Sequence, residues 1–334
     1  MLQDLRRDEH ELLARIAYRS YKDGRSQEEI AHEFGLSRPK VQRLLERARS
    51  SGVVDIHIEV PAGLNLELEK QLIDTFGLTD AIVSPGRDDP DAQREAVARS
   101  AARYLERRLF DGAVVAVSHG RDIGEVSRFF RSERRVDCVF ASAMGGSPHV
   151  DAPTSPNEIC RALAEKSGGR AASLYAPAYV ESSEVRDSLL EQEAVRQTLD
   201  LAATAGMALV GIGGTDDGCT MIRSGCLSLA EIARLRAQGA VGDVLGNYVD
   251  IDGGVIAAPH RDRLVALSID QLRRMETVIA VASEPEKPAA ILGVLRARVI
   301  DVLIVDEGNA TAVLRLAHKS RGPAGRPAGN PRQP

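Results

Sequence analysis

The chain lacks much of what several common protein functions require. Its 334 residues include no tryptophan and only 4% aromatics, so a core drawn from its 43% hydrophobic content must be aliphatic. No run approaches the roughly 18 consecutive apolar residues of a membrane span. The opening MLQDLRRDEHELL has no apolar stretch behind a basic start, so no signal peptide is expected. Four cysteines (Cys138, Cys160, Cys219 and Cys226) are widely spaced and form no CxxC pair. With no histidine near Cys219 and Cys226, reduced thiols in a cytoplasmic protein are expected rather than a zinc site. GxGxxG, Walker A and HExxH patterns are absent, and His119, His149 and His260 stand isolated, with no recognisable Ser–His–Asp arrangement. Neither a metal nor a cofactor is expected.

What is present divides unevenly along the chain. At this length about two folded units are expected. The net charge is −5, yet the first 60 residues are neutral and the acidic excess lies entirely beyond them. Within the neutral part, residues 36–52 carry Arg38, Lys40, Arg43, Arg47 and Arg49 against Glu46 alone. A basic patch on a neutral segment is an electrostatic footprint for nucleic acid.

The local pattern gives that patch a shape. Leu12, Leu13, Ile16 and Ala17 have helical spacing within a first helix over 9–22, which Gly24 ends. Ser26 with Glu29 three residues on predicts a capping box opening a second helix. Ile30, Ala31 and Phe34 form its apolar face, and Gly35 supplies a tight corner. Ser37 then caps a third helix with Pro39 in its first turn, where a missing N–H is tolerated. Val41, Leu44, Leu45 and Ala48 form the buried stripe of this helix, which points Arg38, Lys40, Gln42 and Arg43 outward. That arrangement suits a helix-turn-helix whose second helix reads the major groove, arginine pairing with guanine and glutamine with adenine. The contact set is Ser26, Gln27, Ser37, Arg38, Lys40, Gln42, Arg43 and Arg47. The alternating VVDIHIEV (53–60) predicts a strand, as a wing or a bridge, and Pro61 to Leu64 a hinge.

Downstream, AVVAVS, RVDCVFAS, AASLYAPAYV, MALVGIGG, METVIAVAS and DVLIVD read as short apolar strands separated by helices, among them Asn65–Leu78 and Gln93–Leu109. This is the α/β pattern of a parallel sheet covered on both faces. Glycine-rich turns follow several strands: SHGRDIGE, AMGGSPH and VGIGGTDDG. GAVGDVLGNYVDIDGG reads as a glycine-flexed loop carrying Asp243, Asn247, Asp250 and Asp252, and Lys287 sits at a helix start suited to an anion. Gathered at one sheet edge they make a polyol or sugar-phosphate pocket. The tail Lys319–Pro334 is rich in proline and glycine, has four positive charges and no acid, and is expected to be disordered.

SQEEIAHEFGLSRPKVQRLLERARSSGVVDIHI resembles the N-terminal module of the SorC family of bacterial sugar-responsive transcription regulators. The likeness continues in order through NEICRALAEKSGG, LYAPAYV, VGIGG, GAVGDVLGNYVDIDG and KPAAILGVLRARVIDVLIVDEGNAT. It implies a winged helix-turn-helix domain (1–60) followed by an effector and oligomerisation domain (61–318). The latter would have a Rossmann-like fold related to ribose-phosphate isomerase and glucosamine-phosphate deaminase. It also implies a homodimer or homotetramer that binds operator DNA, more often as a repressor, and responds to a sugar, polyol or sugar phosphate. The effector positions implied are Gly120, Arg121, Asp122, Asn157, Gly213, Asp243, Asp252 and Lys287. Asp122 stands where the family usually has threonine, occasionally serine. A carboxylate there would repel a phosphate by about 1–4 kcal/mol, which points to an uncharged polyol or sugar. The alternative to a regulator is a sugar-phosphate isomerase or deaminase with an appended DNA-binding module, for which Asp243 is the candidate general base.

Overall fold

The computed structural model describes residues 2–55, 63–147, 154–257 and 259–320, without side chains for 2–8 and 320. The chain separates into two compact units, Met1–Pro61 and Ala62–Pro334.

The first unit is built from α1 (Leu2–Tyr21), α2 (Gln27–Phe34) and α3 (Arg38–Ser50). Helix α1 begins seven residues before the expected position, because the polar segment ahead of Glu9 continues the helix. Ser26 caps α2 as the sequence predicts: its Oγ accepts from the Glu29 amide, while the Glu29 carboxylate accepts from the Ser26 amide. Gly35 closes α2 at φ 63°, ψ 33°, a left-handed conformation that spares its carbonyls without a Cβ penalty. Leu13, Ile16, Ala17, Ile30, Ala31, Val41, Leu45 and Ala48 are the buried core. The expected strand does not begin at Val53. Val54 instead donates to the Ala48 carbonyl, and Val53 and Val54 pack against the three helices. The rest of that stretch, residues 56–60, and Pro61 and Ala62 of the expected hinge lie outside the described residues.

The second unit opens with α4 (Leu66–Phe76), β1 (Asp80–Ser84), α5 (Pro90–Arg108), β2 (Val114–Val117), α6 (Arg121–Phe129) and β3 (Val139–Ser142). There follow α7 (Pro156–Ser167), β4 (Arg170–Ala172), α8 (Ser183–Glu191), α9 (Glu193–Ala203), β5 (Met207–Gly211) and β6 (Gly213–Gly214). Then come α10 (Thr220–Arg223), α11 (Leu229–Ala237), β7 (Ala240–Val244), β8 (Asn247–Asp250) and α12 (Ile269–Leu272). The unit closes with β9 (Thr277–Ala282), α13 (Pro288–Arg296), β10 (Val302–Asp306) and α14 (Glu307–Ser320).

Seven strands form a parallel sheet in the order β1-β10-β9-β5-β2-β3-β4. Alternate residues of each strand face opposite sides, and both sides are buried, which is why the strands read as continuous apolar runs. Val115, Val117, Leu209, Ile279 and Ile304 pack on one face with α5, α6 and α7. Ala116, Val210, Ala280 and Leu303 pack on the other, with α4, α9 and α14.

Three expectations are corrected here. AASLYAPAYV forms a strand only over Arg170–Ala172. GAVGDVLGNYVDIDGG is largely an antiparallel hairpin, β7–β8, which pairs with β6 in a separate three-stranded sheet. Its Leu245-Gly246 corner has positive φ at both residues (52° and 74°), the geometry of a tight hairpin turn. Lys319 and Ser320, expected in the tail, finish α14, and residues 321–334 lie outside the described residues.

Candidate functional site

Each unit carries one candidate site. In the first, α3 turns Val41, Leu45 and Ala48 inward with Leu44 half-buried, and leaves Ser37, Arg38, Lys40, Gln42, Arg43 and Arg47 exposed. Among the described residues Arg38, Lys40 and Arg43 make no ion pair, and Arg43 Nε only leans on the Pro39 carbonyl at 3.4 Å. Gln42 donates to Glu46 (3.2 Å), and Arg47 pairs with Glu9 of α1. The two serines differ. Ser26 Oγ is fully engaged in its capping box (2.8 and 3.3 Å), whereas Ser37 caps by backbone conformation alone and makes no side-chain cap bond. Gln27, at the first position of α2, is half-buried.

In the second unit the chain runs outward from β2 through β3 to β4, then returns so that β5 lies on the other side of β2. The β2/β5 boundary is therefore a switch point, and ligands of open α/β sheets bind beyond the strand carboxyl ends at such points. A cleft of about 470 Å³, measured with its solvent-open mouth, lies there. Residues 118–123 wall it from the β2 side and Gly211–Gly214 from the β5 side, joined by Thr220, Met221, Asp243, Leu245, Glu284 and Lys287. Gly120 takes φ 122° to turn the chain into α6, whose N-terminus has no side-chain cap. Ser118 ties the two strand ends together, its Oγ accepting from the Gly211 amide at 3.0 Å.

The charges of the cleft are paired within the protein. Asp122, 4% exposed, accepts from Ser283 Oγ at 2.6 Å through one oxygen and from Lys287 Nζ at 3.2 Å through the other. Arg94 Nε stands 3.6 Å from the first oxygen. Burial pushes the Asp122 pKa up, but Lys287, Ser283 and Arg94 outweigh it, and the carboxyl lies below its usual range. Lys287 also pairs with Glu284 at 2.6 Å. Burial opposes its charge, yet Asp122 and Glu284 hold its pKa above the ordinary lysine value. Glu284 further binds Arg121 and, at 3.4 Å, Arg94. Asn309 of α14 fixes this loop by donating to the Glu284 carbonyl at 3.0 Å.

Asp243 behaves differently. It sits opposite Gly213 in the small sheet, where a Cβ on Gly213 would come within 2.0 Å of Asp243 Oδ1. Its Oδ2 accepts from the Gly246 amide at 2.8 Å, while its buried Oδ1 has no partner. Burial raises its pKa to about 6, although the Gly246 amide and Lys287 pull the other way. Burial pushes the His119 pKa down to about 4, so the imidazole on the cleft wall is neutral at pH 7.

Six of the eight expected effector positions meet in this cleft: Gly120, Arg121, Asp122, Gly213, Asp243 and Lys287. The other two are placed elsewhere. Asn157 spends its amide on the scaffold, accepting from Ser142 Oγ (2.6 Å) and the Leu174 amide and donating to the Leu174 carbonyl. Asp252 is exposed and pairs with Arg296 at 3.1 Å. Asn247 and Asp250 likewise serve the hairpin, Asn247 through three carbonyls and Asp250 through the amides of Asp252 and Gly254. Sequence reasoning missed Ser283 and Glu284, whose signal was their position just ahead of Lys287. It also missed Arg94, distant in sequence and without any local signal. His149 lies outside the described residues, and His260 is buried in the second unit against Tyr248. Among the described residues no acidic, cysteine and histidine group is arranged to hold a metal, and the cysteines are free.

The chain is similar to several known proteins. The model of the family described as "Putative sugar-binding domain" matches residues 60–315. The transcriptional regulator LsrR of Klebsiella pneumoniae is 33% identical over 321 residues, covering 92% of this chain and 94% of its own. The erythritol catabolism regulatory protein EryD of Brucella abortus is 28% identical over 305 residues, covering 91% and 96%. Among solved structures, the full-length sorbitol operon regulator SorC of K. pneumoniae superposes with TM-score 0.71 at 26% identity, over 91% of this chain and 98% of that one.

Proposed function

The chain belongs to the SorC family of sugar-responsive transcriptional regulators, and from that premise we propose how its two units divide the work. The first, residues 1–60, is a helix-turn-helix that reads operator DNA through α3. The second, 61–318, with a fold of the ribose-phosphate isomerase type, senses a small sugar, polyol or sugar phosphate in the cleft at the β2/β5 boundary. The observation that carries this reading is the division of α3. Its apolar stripe is spent on the three-helix core, while Arg38, Lys40, Gln42 and Arg43 stand exposed with no acidic partner among the described residues. Arg38 and Arg43 are placed to read base edges, Gln42 to read adenine, and Lys40 to meet phosphate. Ser37, with its hydroxyl uncommitted to the cap, suits a phosphate at the helix N-terminus. Ser26 acts through the fold of α2, Gln27 flanks the backbone, and Arg47 contacts DNA if it leaves Glu9.

Relatives of this chain are named as an erythritol catabolism regulatory protein and a sorbitol operon regulator, which supports control of a carbohydrate or polyol catabolic operon; the mode we propose is repression. The protein acts in the cytoplasm as a homodimer or homotetramer. Effector binding shifts operator affinity only through unequal affinity for two arrangements of that assembly. Binding without turnover is supported by Asp243, whose buried carboxyl has its pKa raised to about 6 and, among the described residues, hydrogen-bonds the Gly246 amide but no histidine and no second carboxyl. A mobility-shift assay on the promoter beside its own gene tests the reading, with sugars, polyols and sugar phosphates added in turn. A specific shift that one small-molecule class abolishes is expected, and the absence of any sequence-specific shift would refute it. Release of an isomerised or deaminated product that disappears in Asp243→Ala would favour the enzyme instead.

A further inference from the structure

The cleft holds its own anion. Asp122 is buried at the second residue of α6, where the free amides of a helix start and the helix dipole favour negative charge. Its two oxygens take the Ser283 hydroxyl and the Lys287 ammonium, and Arg94 flanks it. Glu284 occupies the rest of Lys287 and also binds Arg121. Every cation of this network (Arg94, Arg121 and Lys287) thus already faces a carboxylate of the chain. A phosphoryl group entering here would find the positive charge taken and a third carboxylate, Asp243, also lining the cleft.

The remaining wall has a different chemistry. Asp243 Oδ1 is a buried acceptor without a partner, Thr220 and the neutral His119 offer further polar contacts, and Ile123, Ile212, Met221 and Leu245 supply apolar surface. Alternating hydroxyls and C–H faces match such a wall.

We propose that Asp122 is a specificity-determining residue that occupies an anion seat and reserves the cleft for an uncharged polyol or sugar, excluding phosphorylated ones. This deepens the proposed effector site and rests on that reading. Removing the carboxylate clears the α6 N-terminus and one donor direction of Lys287, which keeps Glu284, for an external anion.

Inorganic phosphate is therefore the decisive probe, titrated calorimetrically into the full-length wild type, Asp122→Asn and, should that fold poorly, Asp122→Ser. Both variants are expected to bind phosphate at least tenfold more tightly than wild type. Erythritol, ribitol and sorbitol, each with its monophosphate, form a second arm. Wherever wild type binds a pair, the neutral member is expected to win by at least tenfold. Phosphate affinity unchanged by either substitution overturns the proposal, as does a monophosphate bound by wild type at least as tightly as its parent. Operator binding is measured separately on the unliganded protein. Its absence sinks the regulator reading and leaves the phosphate ratio standing, whereas an intact operator shift with no gain in phosphate binding sinks only the anion seat.

Discussion

Helix α3 and the strand-end cleft both gather positive side chains, and they treat them in opposite ways. On α3, Arg38, Lys40 and Arg43 are exposed and unpaired among the described residues. In the cleft, Arg94, Arg121 and Lys287 each meet a carboxylate, and Lys287 is buried against two. The same residue types therefore do different work. Exposed cations gain little from the fold and keep their charge for an outside polyanion. Buried cations are stable only because a partner travels with them. Salt should weaken what α3 does and leave the cleft network largely intact.

Five measurements bear on that contrast, and Lys287→Met should have the largest effect. It strips Asp122 and Glu284 of the closer of the two cations they share, leaving them Arg94 at longer range, and loss of about 3–5 kcal/mol of unfolding free energy in urea is expected. A loss under 1 kcal/mol would mean that the cleft pairs behave like surface pairs, and the comparison would fail.

Next comes Asp243. Its carboxyl is raised from an ordinary 3.8 to about 6 by burial, so the native state holds the proton more tightly than the unfolded chain. The resulting stability is full below pH 3.8 and is lost as pH rises through 6. Relative to Asp243→Asn, wild type should thus lose on the order of 2–3 kcal/mol between pH 4 and 7. Parallel pH curves for the two proteins would show that Asp243 is not strained by burial.

On α3 the expected effects are in binding rather than stability. Arg43→Ala should cost about 1–3 kcal/mol of operator affinity and relax preference at one base pair. Lys40→Ala should weaken all sequences alike and reduce the salt slope by about 1. Equal losses on operator and random DNA for Arg43→Ala would make it a phosphate contact. The smallest effect is predicted at Ser26→Ala, where losing the capping box should lower the stability of the first unit by about 1 kcal/mol, seen as a shifted denaturation midpoint.

The two regions also differed in how far their sequence disclosed them. The first unit is local: Ser26, Glu29, Gly35 and Ser37 set its caps and corner within twelve residues, so α2 and α3 were legible to their ends, whereas the polar start of α1 was not. The parallel sheet was legible too, because strands buried on both faces leave apolar runs. The hairpin at Gly239–Gly254 was not, since its glycines are placed by close approach rather than by looseness. A Cβ on Gly242 would meet Ala290 of α13 at 2.4 Å, and one on Gly253 the Arg296 backbone at 2.3 Å. In the cleft, residues next to glycine turns (Arg121, Asp122 and Gly213) could be anticipated. Arg94 could not, because it reaches Asp122 from α5, which only the sheet order brings near. Asn157 and Asp252 misled for the opposite reason, as polar residues close to the right turns whose hydrogen bonds serve the scaffold.

The strand order has one consequence in time. One of the sheet's two edge strands, β1, pairs with β10, so Ala81 lies beside Leu303 and the first described strand of the second unit waits for its last. At ribosomal rates of roughly 5–20 residues per second, that wait lasts on the order of 10–40 seconds. During synthesis the segment that carries α3 is complete long before the sheet of the second unit can close. A newborn chain is thus able to fold its three-helix unit before its cleft exists.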